Sequence, residues 1–289
     1  RPDRIKAFVR AWCHQFYKPG EVRLIVVEDA PKRTPDLLPG WGEHYCHADF
    51  ADRLGDKAEC IPTKSGGCRD FGFWLAGQDE SVDMIVSLDD DVLPVEGIDF
   101  LAEHWRMLET PRMLKWWPVV SGFRLRGEPY STVTVKPMLN HGLWQGFPDI
   151  DAITQLSNPD TAAQFYHAMV SRESLVPPGM YYTNCGMNYA FRREVAPFIY
   201  FPKLPDGMKR WDDIWMGIIF KRIADLFGWP VTSGWPLLRH ERASDPLNNL
   251  RQEFLGYGVN EELWKVVDKT VIPGTDLLTR EGPTPLRTY

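Results

Sequence analysis

Three consecutive aspartates, Asp89, Asp90 and Asp91, follow directly on the apolar run IVSL at 85–88. Two like charges ~4 Å apart oppose each other by about 1 kcal/mol in water and about 4 kcal/mol at an effective dielectric of 20. Such a run therefore needs open water or a cation. Side chains alternate along a strand, so Asp89 and Asp91 face one way and Asp90 the other. Two carboxylate sets at a strand end suit a hard divalent cation, Mg²⁺ or Mn²⁺, which takes oxygen ligands and keeps positions open for a diphosphate. An acidic surface turn is the alternative on the same residues. His240, in LLRHERAS, is either one further ligand or a structural histidine.

Two more groups have chemistry in reach. Asp212 and Asp213 stand where a long helical pattern begins. One can cap the helix, and the helix dipole favours both. Either both serve only the helix start, or one is spare as a general base or an anchor for an acceptor. Lys64 and Arg69 flank the glycine-rich KSGGCRD. Backbone N–H groups at a helix start with two cations beside them suit a phosphate. Two solvated basic side chains would look the same in sequence.

The elements that must hold these groups are legible from periodicity. Ile5, Phe8, Val9, Trp12 and Phe16 have helical spacing, and Pro2 suits the first turn. VRLIVV (22–27) reads as a compact buried strand ending at Glu28 and Asp29. EHYC reads as a short strand, ADFADRLG as a short helix, SGGCRDFGFWLAG (65–77) as a helix entered through glycines, and VDMIVSL (82–88) as the next buried strand. This alternation predicts a mostly parallel, doubly wound α/β sheet flanked by helices. Ligands of such sheets bind beyond the carboxyl ends of the strands, where Asp29 and Asp89–Asp91 fall. A sheet of this kind should open with a strand, whereas the sequence opens in a helix, so a further short strand is expected upstream of Arg1.

The second half is richer in aromatics. HGLWQGFPDIDAITQL (141–156) reads as a structured loop, and NCGMNYAFRR (184–193) as a strand entered through a glycine. In WDDIWMGIIFKRIADLFG (211–228), Ile214, Ile218, Ile219, Ile223 and Phe227 share a helix face and Gly228 stops it. Asp245 and Pro246 open a last helix. The expected organisation is one domain over 1–270, with a first half at about 1–120 and an aromatic-rich second half at 121–270. A tail without periodicity follows over 271–289.

Bulk properties narrow the function. The 289 residues carry 33 Lys and Arg against 39 Asp and Glu, a net charge of −6. That balance argues against a protein that coats nucleic acid, although a cleft can be locally basic. The five cysteines (13, 46, 60, 68 and 185) show no Cys-x-x-Cys spacing, which predicts reduced thiols and a cytoplasmic setting. No apolar run approaches the length of a membrane span, and no signal peptide is visible. The 12 tryptophans exceed what packing calls for and offer flat platforms for sugars or bases.

Several stretches together resemble one family, the plant reversibly glycosylated polypeptides, also called UDP-arabinopyranose mutases. They are LIVVEDAPKRT, DRLGDKAECIPTKSGGCRDFGF, LDDDV, HGLWQGFPDIDAITQL, CGMNYAF, RWDDIWMG and HERASDPLNNL, in family order over roughly 5–255. The resemblance implies a GT-A-type nucleotide-sugar fold that uses a divalent metal and a UDP-sugar. On that reading Asp91 holds the metal with Asp89 and His240, while Asp89 and Asp90 also serve the nucleotide. Asp29 would recognise the base and Arg69 would lie near the nucleotide, with Lys64 beside it on the phosphate reading above. About 1–120 would then be the nucleotide-sugar-binding half and 121–270 the acceptor-side half. Asp212 and Asp213 match the acidic pair near the reacting sugar. Arg126, in SGFRLRGEP (121–129), matches an arginine that becomes reversibly glycosylated, with Arg124 two places away; a surface arginine or a diphosphate clamp would read the same.

The expected function is a metal-dependent glycosyltransferase-type enzyme that breaks the anomeric carbon–phosphate bond of a UDP-sugar. The acceptor would be a glycan, a small molecule or a hydroxymethylated base of phage-type DNA. The alternatives are a UDP-sugar mutase that glycosylates itself at Arg126 and a non-catalytic nucleotide-sugar-binding partner protein.

Overall fold

The computed structural model describes residues 2–114, 126, 134–158, 173–241 and 245–271. Helix α1 (Pro2–Phe16) leads to strands β1 (Ile25–Val27) and β2 (Glu43–Tyr45), helix α2 (His47–Leu54), 3₁₀ turns at Gly55–Cys60 and Gly66–Arg69, and α3 (Asp70–Gly77). Strands β3 (Met84–Leu88) and β4 (Val92–Pro94), α4 (Phe100–Glu109), β5 (Arg112–Met113), β6 (Thr134–Val135), β7 (Leu139–Gly146) and α5 (Ala152–Ser157) follow. The chain ends with β8 (Ser174–Val176), β9 (Asn188–Arg192), α6 (Asp212–Phe227), β10 (Val231–His240) and α7 (Pro246–Thr270).

The central sheet has six strands in the order β3-β9-β7-β10-β4, with β8 also paired to β10. The α/β class agrees with expectation, but the sheet is mixed where a mostly parallel one was predicted. Only β7 and β10 pair in parallel; β9 runs against β3 and β7, and β4 and β8 run against β10. The reason is connection length. Only the three aspartates separate β3 from β4, too few residues for the crossover that a parallel neighbour requires. The chain turns back instead and β4 lies antiparallel on β10.

β1 corrects a second expectation. It pairs in parallel with β2 as a separate two-stranded sheet, and among the described residues it shares no backbone hydrogen bond with β3. Helix α3 carries it instead: a Cβ at Gly72 would sit 3.2 Å from Val27 and 3.6 Å from Ile25. The strand expected upstream of Arg1 and the tail after 271 lie outside the described residues.

The two faces of the central sheet pack different helices. Ile85, Tyr189, Phe191, Leu139 and Val231 form one core with Phe73 of α3 and Trp215, Met216, Phe220 and Ile223 of α6. Val86, Leu88, Trp144 and Leu238 meet Phe8, Val9, Trp12 and Phe16 of α1 and Phe100 of α4. Adjacent residues such as Ile85 and Val86 go to opposite sides, as the pleat demands. α6 buries a wider face than its isoleucines suggested, including Lys221, which donates to Asp225 (2.6 Å) and the Pro177 carbonyl (3.1 Å). Gly228 ends the helix with φ +67°, as expected.

The segment 141–156 was expected as a loop, yet its first part is the central strand β7. Polar residues hid it, because they are satisfied inside the fold. His104 Nε2–H donates to Asn188 Oδ1 (2.9 Å) while its Nδ1 accepts from Asn140 (2.9 Å). Asn140 also donates to the Trp235 carbonyl and accepts from Thr232. All four side chains are buried. Burial pushes the His104 pKa down to about 3, so the ring is neutral and can play both parts. No described helix is long and apolar enough to cross a membrane, and none of the five cysteines is paired.

This network generates a stability prediction. His104→Leu keeps the volume but leaves Asn188 Oδ1 and one Asn140 N–H without partners, at a cost of about 2–4 kcal/mol. Urea unfolding should show a lower midpoint with an unchanged slope; an unchanged midpoint would contradict the network.

Candidate active site

The strands that run together, β3, β7 and β10, deliver their carboxyl ends to one edge of the sheet. Asp89–Asp91 leave β3, Asp149 lies just past β7, and His240 ends β10 in register with Gly146. The antiparallel β9 begins at the same edge, because Asn188 pairs with Leu88, so Cys185 and Gly186 arrive there too. Helix α6 adds Asp212 and Asp213 from its first turn.

Arg69 connects these pieces. It ends the 3₁₀ turn that the glycines open, where a Cβ at Gly67 would lie 2.8 Å from Pro62. Its Nη2 donates to Asp89 Oδ1 (2.6 Å), and its Nη1 donates to Ser87 Oγ (2.9 Å) and the Gly186 carbonyl (2.6 Å). Nε donates to the Gly66 carbonyl, and the guanidinium lies over the Phe201 ring. Burial works against its charge, but Asp89 outweighs that and raises the pKa further. Arg69 is a fixed cation at the sheet edge.

On one side of it stands the acidic pair. The Gly186 N–H donates to Asp213 Oδ2 (2.8 Å), and the Ile214 N–H to Asp213 Oδ1 (2.9 Å). A Cβ at Gly186 would lie 3.3 Å from both Arg69 Nη1 and Asp213, so a side chain there would crowd both. Burial, then Asp212, then Asp149, push the Asp213 pKa up to about 7, against the Gly186 hydrogen bond. Asp212 is buried and its Oδ2 has no hydrogen-bond partner. A buried acceptor left open is costly unless something else supplies a proton to it.

On the other side stand the triple aspartate and His240. Asp91 lies 3.6 Å from Arg4. Burial, then Asp89, raise its pKa, while His240 and Arg4 pull it back. His240 Nδ1 bonds the Phe147 carbonyl at 2.8 Å and so carries the proton, which leaves Nε2 free to accept. A ligating histidine is oriented in the same way. The carboxylates outnumber Arg69 and Arg4 here, so the site has the charge deficit that a divalent cation would offset.

Sequence reasoning missed Asp149 and Cys185. With Asp213 they form the one described set of three whose potential ligand atoms all lie within 4.8 Å of one another. Asp89, Asp91 and His240 form no such set. Burial first, then Asp149, raise the Cys185 thiol well above its ordinary range, so it stays protonated and the trio offers mainly carboxylate oxygens. The position of Asp149 just beyond a strand end was the available signal, lost when 141–156 read as loop.

The remaining expected residues fall elsewhere. Asp29 Oδ1 accepts from the Lys64 N–H (2.9 Å) and bonds His47 Nε2 (2.7 Å), tying β1 to the loop before the glycine turn. Lys64 joins that arrangement through its backbone, at φ +59°, with its side chain exposed. Asp90 is half-buried. Arg126 is exposed in a turn, and 115–125 with Arg124 and 127–133 lie outside the described residues.

The raised carboxyls make stability depend on pH. Burial raises the pKa of Asp70, whose two oxygens accept from the Phe201 N–H, to about 8. Folded protein holds that proton up to about pH 8, while an unfolded aspartate releases it near pH 4. Stability from this group is therefore full in acid and falls as pH rises towards 8. His104 and His141, held neutral by burial, act oppositely but only below about pH 6.5. Denaturation should show stability falling between pH 7 and 8, and Asp70→Asn should flatten that fall by about 1 kcal/mol per pH unit.

Known proteins similar to this chain belong to one family. The sequence pattern of the family described as reversibly glycosylated polypeptide matches residues 2–281. Probable UDP-arabinopyranose mutase 4 of Arabidopsis thaliana is 35% identical over 271 residues, covering 88% of this chain and 71% of the relative. UDP-arabinopyranose mutase 3 of the same plant is 32% identical over 287 residues (92% and 75%), and UDP-arabinopyranose mutase 1 of Oryza sativa subsp. japonica is 32% identical over 283 residues (92% and 75%). With that pattern matched over nearly the whole chain and relatives 32–35% identical, this protein belongs to the reversibly glycosylated polypeptide family.

Proposed function

We propose that this protein binds a UDP-sugar at the β3, β7 and β10 edge and changes the sugar's ring form, a reading supported by relatives named UDP-arabinopyranose mutase. The fold would serve as a GT-A-type nucleotide-sugar scaffold. The observation that carries the reading is the placement of Arg69 between Asp89 and the Gly186–Asp213 contact. A fixed guanidinium suits the diphosphate, so the bond from phosphate to sugar would lie between the triple aspartate and the acidic pair.

Asp91 and His240, with Asp89, would hold a Mg²⁺ or Mn²⁺ ion by drawing closer than they stand, since their ligand atoms form no set within 4.8 Å; the free Nε2 of His240 and the local excess of carboxylates support this assignment. Such an ion would supply charge neutralisation of the leaving diphosphate. Asp212 Oδ2 is an open acceptor for a sugar hydroxyl. Asp213, with a pKa near neutrality, can take up or return a proton as the ring opens or closes. Arg126 would take the sugar covalently between departure and return. Asp29, Lys64 and Asp90 would serve the nucleotide.

The test supplies UDP-arabinopyranose and Mn²⁺ with no added acceptor and analyses the products. A ring isomer of the nucleotide sugar is expected. Turnover only after addition of a glycan, a small molecule or hydroxymethylated DNA would replace this reading with transfer to an acceptor, and UDP binding without turnover would replace it with a binding partner. Asp91→Ala should abolish metal-dependent turnover, and Arg126→Ala should abolish protein-bound sugar. Arg69→Lys, which keeps the charge but not the planar fork, should weaken UDP binding about 10-fold or more, measured by calorimetry.

A further inference from the structure

Asp149 lies just past the end of β7, and the fold pins it from both sides. On the near side Gly146 turns the chain at φ +85°, where a Cβ would lie 2.7 Å from the His240 carbonyl. Phe147 then donates its N–H to that carbonyl (3.3 Å) and accepts from His240 Nδ1 (2.8 Å). On the far side Asp151 accepts from the Thr154 N–H (3.0 Å) and so caps α5. The Ala152 N–H of α5 bonds Glu253 Oε2 of α7 (2.9 Å). A carboxyl held at both ends of its segment has a fixed position, as a group that does chemistry requires.

What Asp149 faces is Asp213. One oxygen of each carboxyl and the Cys185 Sγ all lie within 4.8 Å of one another. Both carboxyls are half-buried and open to a ligand, whereas Cys185 is buried. Burial keeps the proton on the Cys185 thiol, which donates to Asp149, so Asp149 is an acceptor. A protonated thiol is a poor ligand for Mg²⁺ or Mn²⁺, so the trio suits proton movement better than ion binding. Burial, then Asp212, then Asp149 and Asp89 keep a proton on Asp213 up to about pH 7, against the Gly186 N–H. Two close carboxyls that hold one proton let one give as the other takes.

The neighbours fix where a ligand would lie. A Cβ at Gly186 would sit 3.3 Å from both Arg69 Nη1 and Asp213. The open Asp212 Oδ2 lies towards Arg69, since a Cβ at Gly66 would be 3.5 Å from it and 3.6 Å from Arg69 Nη2. A sugar whose diphosphate rests on Arg69 is therefore within reach of Asp212 and of the Asp149–Asp213 pair.

We propose, resting on the ring-form reading above, that Asp149 and Asp213 are the paired base and acid of the ring exchange, with Cys185 positioning Asp149. Turning a pyranose into a furanose breaks the bond from C1 to O5 and makes one from C1 to O4. The C1–O5 electron pair stays on O5, which takes the proton of Asp213. O4 gives an electron pair to C1 and its own proton to Asp149. Protons and charge balance, and return of the proton from Asp149 to Asp213 resets the pair. The reverse reaction uses the same two groups with their roles exchanged.

The test supplies UDP-arabinopyranose and Mn²⁺ to the full chain. Asp149→Asn should lower kcat for the ring isomer about 100-fold or more, with KM and the calorimetric affinity for UDP unchanged. Cys185→Ala, which removes the donor to Asp149, should lower kcat at unchanged KM. Cys185→Ser keeps a donor and should restore it. If circular dichroism shows that Asp149→Asn does not fold, the two Cys185 variants decide. Full turnover by Asp149→Asn, loss of its UDP or Mn²⁺ binding, or equal turnover by Cys185→Ala and Cys185→Ser would each overturn the pairing and leave the ring-form reading standing. Absence of a ring isomer with the unaltered protein would overturn that reading, and the pairing with it.

Discussion

The organising constraint of this protein is the repulsion among carboxylates gathered at one sheet edge, and the interaction that makes the gathering possible is the Arg69 guanidinium. Asp89, Asp90, Asp91, Asp149, Asp212 and Asp213 arrive there from three separate parts of the chain. Arg69 bonds Asp89 on one side and the Gly186 carbonyl on the other, and the Gly186 N–H in turn holds Asp213. One side chain thus joins the end of β3, the entry to β9 and the start of α6. Breaking it would leave a partly buried carboxylate without its cation and release the loop that shapes the acidic pair.

The rest of the fold can be understood as support for that edge. The parallel run of β3, β7 and β10 brings their carboxyl ends together, and the antiparallel β9 brings its amino end to the same place. Beneath them the buried His104, Asn140, Asn188 and Thr232 network locks β7, β9 and β10 to α4 without any charge. Neutral polar groups suffice there because every bond is local and complete. At the edge, by contrast, the carboxylates outnumber the cations Arg69 and Arg4 that face them.

Much of the local structure was legible in the sequence. The α1 stripe, the β3 run, the Gly228 stop of α6 and the Asp245–Pro246 start of α7 each follow from periodicity and caps within a few residues. The candidate site was partly legible: Arg69, Asp89, Asp91, Asp212, Asp213 and His240 do lie at one edge. β7 was not legible, because His141, Gly142 and Gln145 interrupt its apolar pattern, and the partners that satisfy its polar residues come from β10 and α4. Asp149 and Cys185 were missed for the same reason, since their relation to Asp213 exists only across strands.

By itself the sequence determined the α/β class, the element types and the residue types able to do chemistry, since propensity, capping and periodicity act within a few residues. The membership in the reversibly glycosylated polypeptide family was also written in it, as an ordered set of motifs. Tertiary structure alone decided the mixed strand directions, the separation of β1 from β3, the bonding of Arg69 to Asp89 and Gly186, and the open Asp212 acceptor. Those depend on contacts between residues far apart in the chain, 117 positions in the case of Arg69 and Gly186. Chain packing, not local preference, sets such distances, and with them the pKa values and pairings on which the chemistry rests.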